Sequence, residues 1–315
     1  MTASGAHPAP ARVVIVGGGV IGMSTAAAVA RLGVSTILVT ASDASTTPVG
    51  AASFAWVNAH RKAPRAYRLL SEEARTLHAE RSRTHEQPWF TRTGATADGI
   101  DYRNDGYVDT AAYLAAQRAD LRTAGGEVRT GVVIDDLEHL RADLDADAVI
   151  VAAGTGTAAL IGHYPAATAR VASSSGLDGF CARIELAGHP VDQILSVDGL
   201  QLRPDGTGRI AAQSLRIEQE LRERGVAASV ATVWPALHRE IAAACRWELP
   251  SDVPVRIDHA HRPTARDGLP VVGWVGDGVY VALTHSGVTL APLLAEIVAS
   301  DLVEGDDERL TPFRP

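Results

Sequence analysis

The chain has 315 residues, 46% of them hydrophobic and 21% charged, with a formal net charge of −8 at pH 7. Such a chain can bury a large core, and its length favours two domains or one domain with a large insertion. No Lys/Arg cluster stands out and no run of about 18 apolar residues exists, which argues against a nucleic-acid surface, an anionic-membrane surface and a spanning helix.

In chain order, residues 1–11 are small, polar and Pro-containing, and read as a disordered tail without the apolar core of a signal peptide. A soluble cytoplasmic protein is the expectation. Residues 12–16 (RVVIV) are mostly β-branched, as a buried parallel strand requires. Residues 22–32 predict an Ala-rich helix stopped by Gly33, and 36–39 a second strand. Helical patterning returns over 64–82, 87–105 is rich in turn residues, and Asp109 is placed to cap a helix over 110–124. Strands are predicted over 127–130 and 147–153 (DAVIVAA). This alternation of strand and helix argues for a parallel α/β sheet.

The pattern then changes. Segments 179–186, 193–202 and 209–212 predict strands, Asp205-Gly206 marks a hairpin turn, and 226–246 predicts a helix with a new turn or kink at Pro235. An antiparallel sheet with a helix beside it follows. The first style returns with a strand over 278–283 (GVYVAL), a tight loop at 285–287, and a helix over 289–302 with Pro292 in its first turn. The two cysteines, Cys181 and Cys245, lack CxxC spacing and predict neither a disulfide nor a zinc site.

Gly17, Gly19 and Gly22 form GxGxxG between the first strand and the first helix. Gly17 permits the tight turn, Gly19 lets a diphosphate approach the backbone, and Gly22 lets helix and strand pack closely. The helix N-terminus, at Val20 and Ile21, presents free N–H groups to that diphosphate. The motif in this setting predicts a dinucleotide but does not by itself separate NAD from FAD. An acid is expected where the second strand ends. Thr40 stands there instead, with Asp43 a little further on.

Four stretches narrow the choice: GAASFAWVNAHRKAPRAY (50–67), DGYVDTAAYLAAQRADLRTAGGEV (105–128), DAVIVAAGTGTAALI (147–161), and HRPTARDGLPVVGW with GVYVALTHSGVTLAPLLAEIVASDLV (within 261–303). In this order they resemble the FAD-dependent D-amino-acid oxidase and glycine oxidase family, most closely its bacterial D-amino-acid-dehydrogenase-like members. The resemblance implies FAD as cofactor. It also implies a Rossmann-like, discontinuous FAD-binding domain over 12–65, 105–165 and 256–315, beside an α+β substrate domain on an antiparallel sheet over 66–104 and 166–255. The implied reaction is oxidation of the C–N bond of an amino acid or related amine. A hydride leaves carbon for the flavin, water hydrolyses the imine, and oxygen or another acceptor takes the electrons. A small-molecule amine or amino acid is the expected partner.

By the same resemblance, Arg262 grips the substrate carboxylate, a task that suits a bidentate guanidinium fork. The plainer reading is a surface arginine or one paired with Asp267. His285, Ser286, Gly287, Val288 and Thr289 form the loop and helix start against the flavin ring, where N–H groups stabilise negative charge. His285 is a tentative proton carrier. Ala52, Ser53 and Asn58 lie in the segment that crosses the diphosphate and flavin, with Asn58 alternatively capping a turn. Lys62, the sole lysine of the chain, either promotes oxygen reduction or holds an anionic group near the flavin, or is a solvated helix-start charge. Val128 stands where the family binds adenine through backbone groups, and Ala153 and Gly154 end the strand beneath the diphosphate. Thr40, Asp43 or backbone is left to hold the ribose.

His259 and His261 alternate on an apparent strand without further ligands nearby, so no metal is expected. No G-x-S-x-G elbow and no Cys–His pairing points to nucleophilic catalysis. The stretch between Trp89 and Asp105 is short beside the family's, which predicts a more open pocket or an unusual substrate. Two other readings compete: a nicotinamide-dependent dehydrogenase, against which HSGVTLAP speaks, and a non-catalytic or partner-dependent flavoprotein subunit.

Overall fold

The computed structural model describes residues 9–42, 48–60, 62–171, 177–245, 249–276 and 278–315. Most of the expected N-terminal tail, residues 1–8, and Asp43 lie outside them.

Arg12–Val16 lies inside a six-stranded sheet, flanked in parallel by Ser35–Thr40 and Ala148–Val151. Glu127–Thr130 extends one side in parallel and Val279–Leu283 the other, where Val271–Gly276 adds an antiparallel edge. The central strand is apolar from Val13 to Val16, where both faces are covered. Val13 and Ile15 enter one core and Val14 and Val16 the other, as the two-residue strand period dictates. Helices Val20–Arg31, Gly287–Val303 and Thr110–Thr123 fill the first face. Asp109 caps the last of these by accepting from the Ala111 and Ala112 N–H groups, as expected.

Helix Arg65–Thr84 buries Tyr67, Leu70, Ser71, Ala74, His78 and Ser82, a stripe at helical spacing. Tyr67, Leu70 and Ala74 join the same core as the first helix. The boundary drawn at residue 66 therefore does not follow the packing, because this helix belongs with the six-stranded sheet. Of the segment 66–104, Ala95–Ala97 and Ile100–Tyr102 do join the second sheet.

That second sheet has seven strands, in the order Val255–Arg262, Leu177–Glu185, Arg209–Ser214, Leu200–Pro204, Ile194–Val197, Ala95–Ala97 and Ile100–Tyr102. The single strand expected over 193–202 is two strands joined at Asp198 (φ 49°) and Gly199 (φ 84°). Positive φ at both central residues is what a tight hairpin twist demands, and an Asp-Gly pair supplies it. Helices Leu215–Glu223 and Val230–Cys245 cover one face, burying Ile217, Leu221, Leu237 and Ile241 against Phe180, Leu202 and Ile210. The first of these helices is absent from the sequence expectation. Ser214 caps it by accepting from the Ile217 N–H. Among the described residues no helix is long and apolar enough to cross a membrane.

Candidate functional site

A cavity of about 1420 Å³ runs from the C-terminal ends of the parallel strands to the face of the seven-stranded sheet. Its first half is bordered by Val16, Val39, Thr40, Ala152, Ala153 and Leu283, the ends of four neighbouring strands. Crevices at strand C-termini are where open α/β sheets take ligands. The volume exceeds the roughly 300–1,000 Å³ of a small-molecule pocket and suits a dinucleotide with a small substrate beside it.

The glycine loop is shaped for close approach. Gly17 has φ +120°, and a Cβ there would lie 2.3 Å from the Ala152 carbonyl oxygen. A Cβ on Gly22 would lie 1.9 Å from the Gly17 carbonyl oxygen, so helix and loop touch there. A Cβ on Gly19 would meet nothing within 4 Å, because that position faces the cavity. Helix Val20–Arg31 starts at Gly19 with no side-chain cap and no acid in its first turn. Its leading N–H groups, at Val20, Ile21 and Gly22, are left for a ligand. A diphosphate fits this cradle by shape and by charge.

The residue at the end of the second strand departs from the usual acid. Thr40 is buried, its side chain lies over Gly18, and its hydroxyl is 3.2 Å from that of Ser42. A pair of neutral hydroxyls thus stands where a carboxylate was expected. Val128 does not border the cavity. It sits within its strand, paired with Leu38, and the chain reaches the cavity only after Gly131 (φ +73°), through Val132, Val133, Ile134 and Asp135.

A second helix also points its start at the cavity. Gly287–Val303 begins at Ser286, again without a side-chain cap hydrogen bond or a first-turn acid, and Gly287, Val288 and Thr289 line the wall. Ser286 Oγ accepts from Lys62 Nζ at 2.6 Å and from Tyr67 Oη at 2.6 Å. A hydroxyl accepts two such bonds and keeps one hydrogen to donate. Lys62 is half-buried rather than solvated, lies 5.0 Å from the Tyr67 ring centroid, and burial lowers its pKa to about 8. Burial raises the Tyr67 pKa and, with the charges of Arg262 and Lys62, lowers that of His285 to about 4. His285 is thus neutral near pH 7.

His78, on helix Arg65–Thr84, is fully buried behind this helix start. The Trp89 indole N–H donates to Nδ1 at 3.2 Å, so the proton sits on Nε2, which donates to the Val288 carbonyl at 2.8 Å. Ala52, Ser53 and Asn58 line the cavity from the other side. Ser53 Oγ accepts from the Ala55 N–H at 3.0 Å, which supports the positive φ (56°) of Ala55. His60 stacks on Tyr102 at 3.9 Å and approaches the buried Asp105, which also accepts from Trp56 at 3.0 Å and Arg75 at 2.7 Å.

Arg262 reaches the wall from the last residue of its strand. Its partner is not Asp267, which pairs with Arg170. Arg262 Nη1 donates to Glu218 Oε2 at 2.8 Å and Nη2 to Glu218 Oε1 at 2.6 Å, and Nη2 donates also to Gln213 Oε1 at 3.2 Å. The guanidinium expected to be open to a carboxylate is therefore held from within the chain. His259 and His261 stand beside it near Asp178, and among the described residues no cluster could hold a metal ion.

Sequence reasoning missed Tyr67, His78, Glu218 and the Asp105 cluster. Each acts through a partner distant in sequence, and a single sequence carries no signal for that.

A family model described as FAD dependent oxidoreductase (DAO) matches residues 12–97 and 90–300. None of the curated proteins matches the chain. Among solved structures, glycine oxidase from Bacillus cereus ATCC 14579 is similar over 95% of this chain and 96% of its own, with TM-score 0.75 at 15% identity. Iminodiacetate oxidase from Chelativorans sp. BNC1 is similar over 96% and 99%, with TM-score 0.74 at 16% identity. L-proline dehydrogenase from P. horikoshii is similar over 96% and 96%, with TM-score 0.74 at 12% identity.

Proposed function

The chain belongs to the DAO family of FAD-dependent oxidoreductases, and on that premise we propose that it oxidises the C–N bond of an amino acid or related amine. The family's dinucleotide is FAD, which removes the nicotinamide reading. The observation that carries the proposal is the single cavity that joins the glycine cradle and two uncapped helix starts to the face of the antiparallel sheet. A cofactor and a small substrate can lie side by side in it. Glycine oxidase and iminodiacetate oxidase, which share the fold, act on amino-acid-like amines by their names.

FAD, when bound, supplies a hydride acceptor. The chain's own groups do the rest. The loop at Gly17–Gly19 and the N–H groups of the first helix hold the diphosphate. The N–H groups at Gly287, Val288 and Thr289, with the partial positive charge of the helix start, would stabilise negative charge gained by a ring system bound there. Ala52, Ser53, Asn58, Ala153 and Gly154, which line the cavity, would hold the cofactor, and Thr40 with Ser42 would take its ribose. Lys62 adds a positive charge beside Ser286. His285 is neutral at pH 7 and so holds no imidazolium proton to donate. The sheet face holds the substrate carbon against the cofactor, and such positioning supplies much of the rate in hydride transfer. Electrons would then pass to oxygen or another acceptor.

The test is spectroscopic. The purified protein is expected to be yellow and to bleach when a suitable amine is added without air. A protein that stays colourless after incubation with FAD sinks the proposal.

A further inference from the structure

Resting on the amine-oxidation reading of this cavity, we propose that Glu218 sets substrate class: it fills the carboxylate clamp at Arg262, so the site takes amines that carry no free carboxylate there.

A guanidinium offers two flat forks to a carboxylate, Nη1 with Nη2 and Nε with Nη2. Both need a hydrogen on Nη2. Arg262 has committed both Nη2 hydrogens, one to Glu218 Oε1 at 2.6 Å and one to Gln213 Oε1 at 3.2 Å. Nη1 completes the first fork on Glu218 Oε2 at 2.8 Å. No bidentate face remains for a ligand.

The arrangement is built, not incidental. The Glu218 side chain is 3% exposed and that of Arg262 19%. Glu218 Oε1 also accepts from the Phe180 backbone N–H at 3.1 Å, so the carboxylate is fixed by two strands of the sheet. A Cβ on Gly179 would lie 2.2 Å from Arg262 Cζ, so the guanidinium lies flat over a glycine that makes room for it. Gln213 Nε2 passes the network on by donating to Gln201 Oε1 at 2.6 Å.

The consequence is electrostatic. A free arginine on this wall would attract a substrate carboxylate. The Arg262–Glu218 pair presents no net charge, and an incoming carboxylate would have to displace a buried anion from a charge-assisted pair. The network also brings the Gln201 amide to the cavity wall, and that amide suits a neutral polar group such as an amide or ester carbonyl. Arg222, another guanidinium lining the cavity, is exposed, where a single charge is worth little.

Benzoate and benzamide are matched probes, alike in shape and different in charge. Their binding is measured by titration calorimetry on the FAD-supplemented protein, on Glu218→Ala and on Glu218→Gln. Glu218→Ala empties the clamp. Glu218→Gln keeps an acceptor for the Phe180 N–H and covers the case in which the alanine variant does not fold. Wild type is expected to bind benzamide more tightly than benzoate. The variants are expected to bind benzoate about tenfold or more tightly than wild type does, with benzamide nearly unchanged. If neither folded variant gains affinity for benzoate over wild type, or wild type prefers benzoate, the inference is overturned. Calorimetry reads the clamp whether or not the protein is yellow, so a colourless protein counts against the flavin reading and this measurement still decides the role of Glu218.

Discussion

His78 Nε2 donates to the carbonyl of Val288, 2.8 Å away, and so ties one long helix to the first turn of another across 210 positions of sequence. The bond requires a neutral imidazole whose Nδ1 accepts from Trp89. Burial lowers the His78 pKa to about 4 from the usual 6.5. Between those values the unfolded chain binds a proton that the folded chain excludes, so His78 makes stability fall as pH drops from about 6.5 towards 4. His285, also held near 4, acts in the same sense. Replacing His78 with Gln is expected to lower stability at pH 7 and to flatten the slope of stability against pH in that window. Urea unfolding at several pH values checks it, and an unchanged slope removes His78 as its source.

Gly19 and Gly22 are expected to behave differently although they share a motif. A methyl group on Gly19 meets no protein atom within 4 Å and points into the cavity, so Gly19→Ala is expected to fold normally and to bind FAD at least about tenfold more weakly. A methyl group on Gly22 would sit 1.9 Å from the Gly17 carbonyl oxygen and must push helix and loop apart. Gly22→Ala is expected to lower the unfolding midpoint of the FAD-free protein itself. Thermal unfolding and FAD titration of both variants separate the effects. Equal FAD affinity in Gly19→Ala and wild type would show that the diphosphate lies elsewhere.

What could be read from the sequence follows from how local the physics is. The strand at Arg12–Val16 and the loop at Gly17–Gly22 announce themselves because burial on both faces demands an apolar run and a tight turn demands glycine. The hairpin at Asp198-Gly199 carried an equally local signal, but the apolar residues on either side made 193–202 look continuous. The stripe on helix Arg65–Thr84 showed that the helix is amphipathic and not which sheet it covers. The site divides in the same way. Gly287–Thr289 could be placed from a loop followed by a helix. The engagement of Arg262 could not, because Glu218 lies 44 positions away on a helix the sequence pattern had not revealed.

The C-terminus closes the core through Arg314. Its Nη1 and Nη2 donate to Asp301 at 2.6 Å each, and Asp301 is buried and also accepts from Tyr280 Oη at 2.6 Å. Asp301 belongs to the helix whose start faces the cavity. Arg314→Ala leaves a buried carboxylate without its cation and is expected to destabilise by about 3 kcal/mol or more. Adding Asp301→Asn is expected to recover part of the loss, because the orphaned charge goes with it. A double variant no more stable than Arg314→Ala alone would place the effect in packing instead. Denaturant unfolding of the three variants measures it.

Lys62 is expected to give the reaction a pH dependence whose sign follows from its lowered pKa. Its pKa of about 8 makes it an ammonium below that pH and a neutral amine above it. If its charge assists the transfer of electrons to oxygen, kcat/KM for oxygen is expected to fall as pH rises through about 8. Lys62→Met is expected to be slower than wild type at pH 7 by about tenfold and to lose the step near pH 8, because a unit charge a few ångströms from a partly buried centre is worth more than a kilocalorie per mole. Loss of fold does not mimic this result. From about 8 to 10.5 the unfolded chain holds a proton on Lys62 that the folded chain has released, so this residue adds stability as pH rises across that window. A rate that declines while the site grows more stable is chemistry. Lys62→Arg keeps a charge at all these pH values and is expected to remove the step while retaining more of the rate than Lys62→Met. If all three proteins show the same pH profile, the charge of Lys62 has no part in the oxygen step and the Ser286–Lys62–Tyr67 cluster serves to hold the helix start in place.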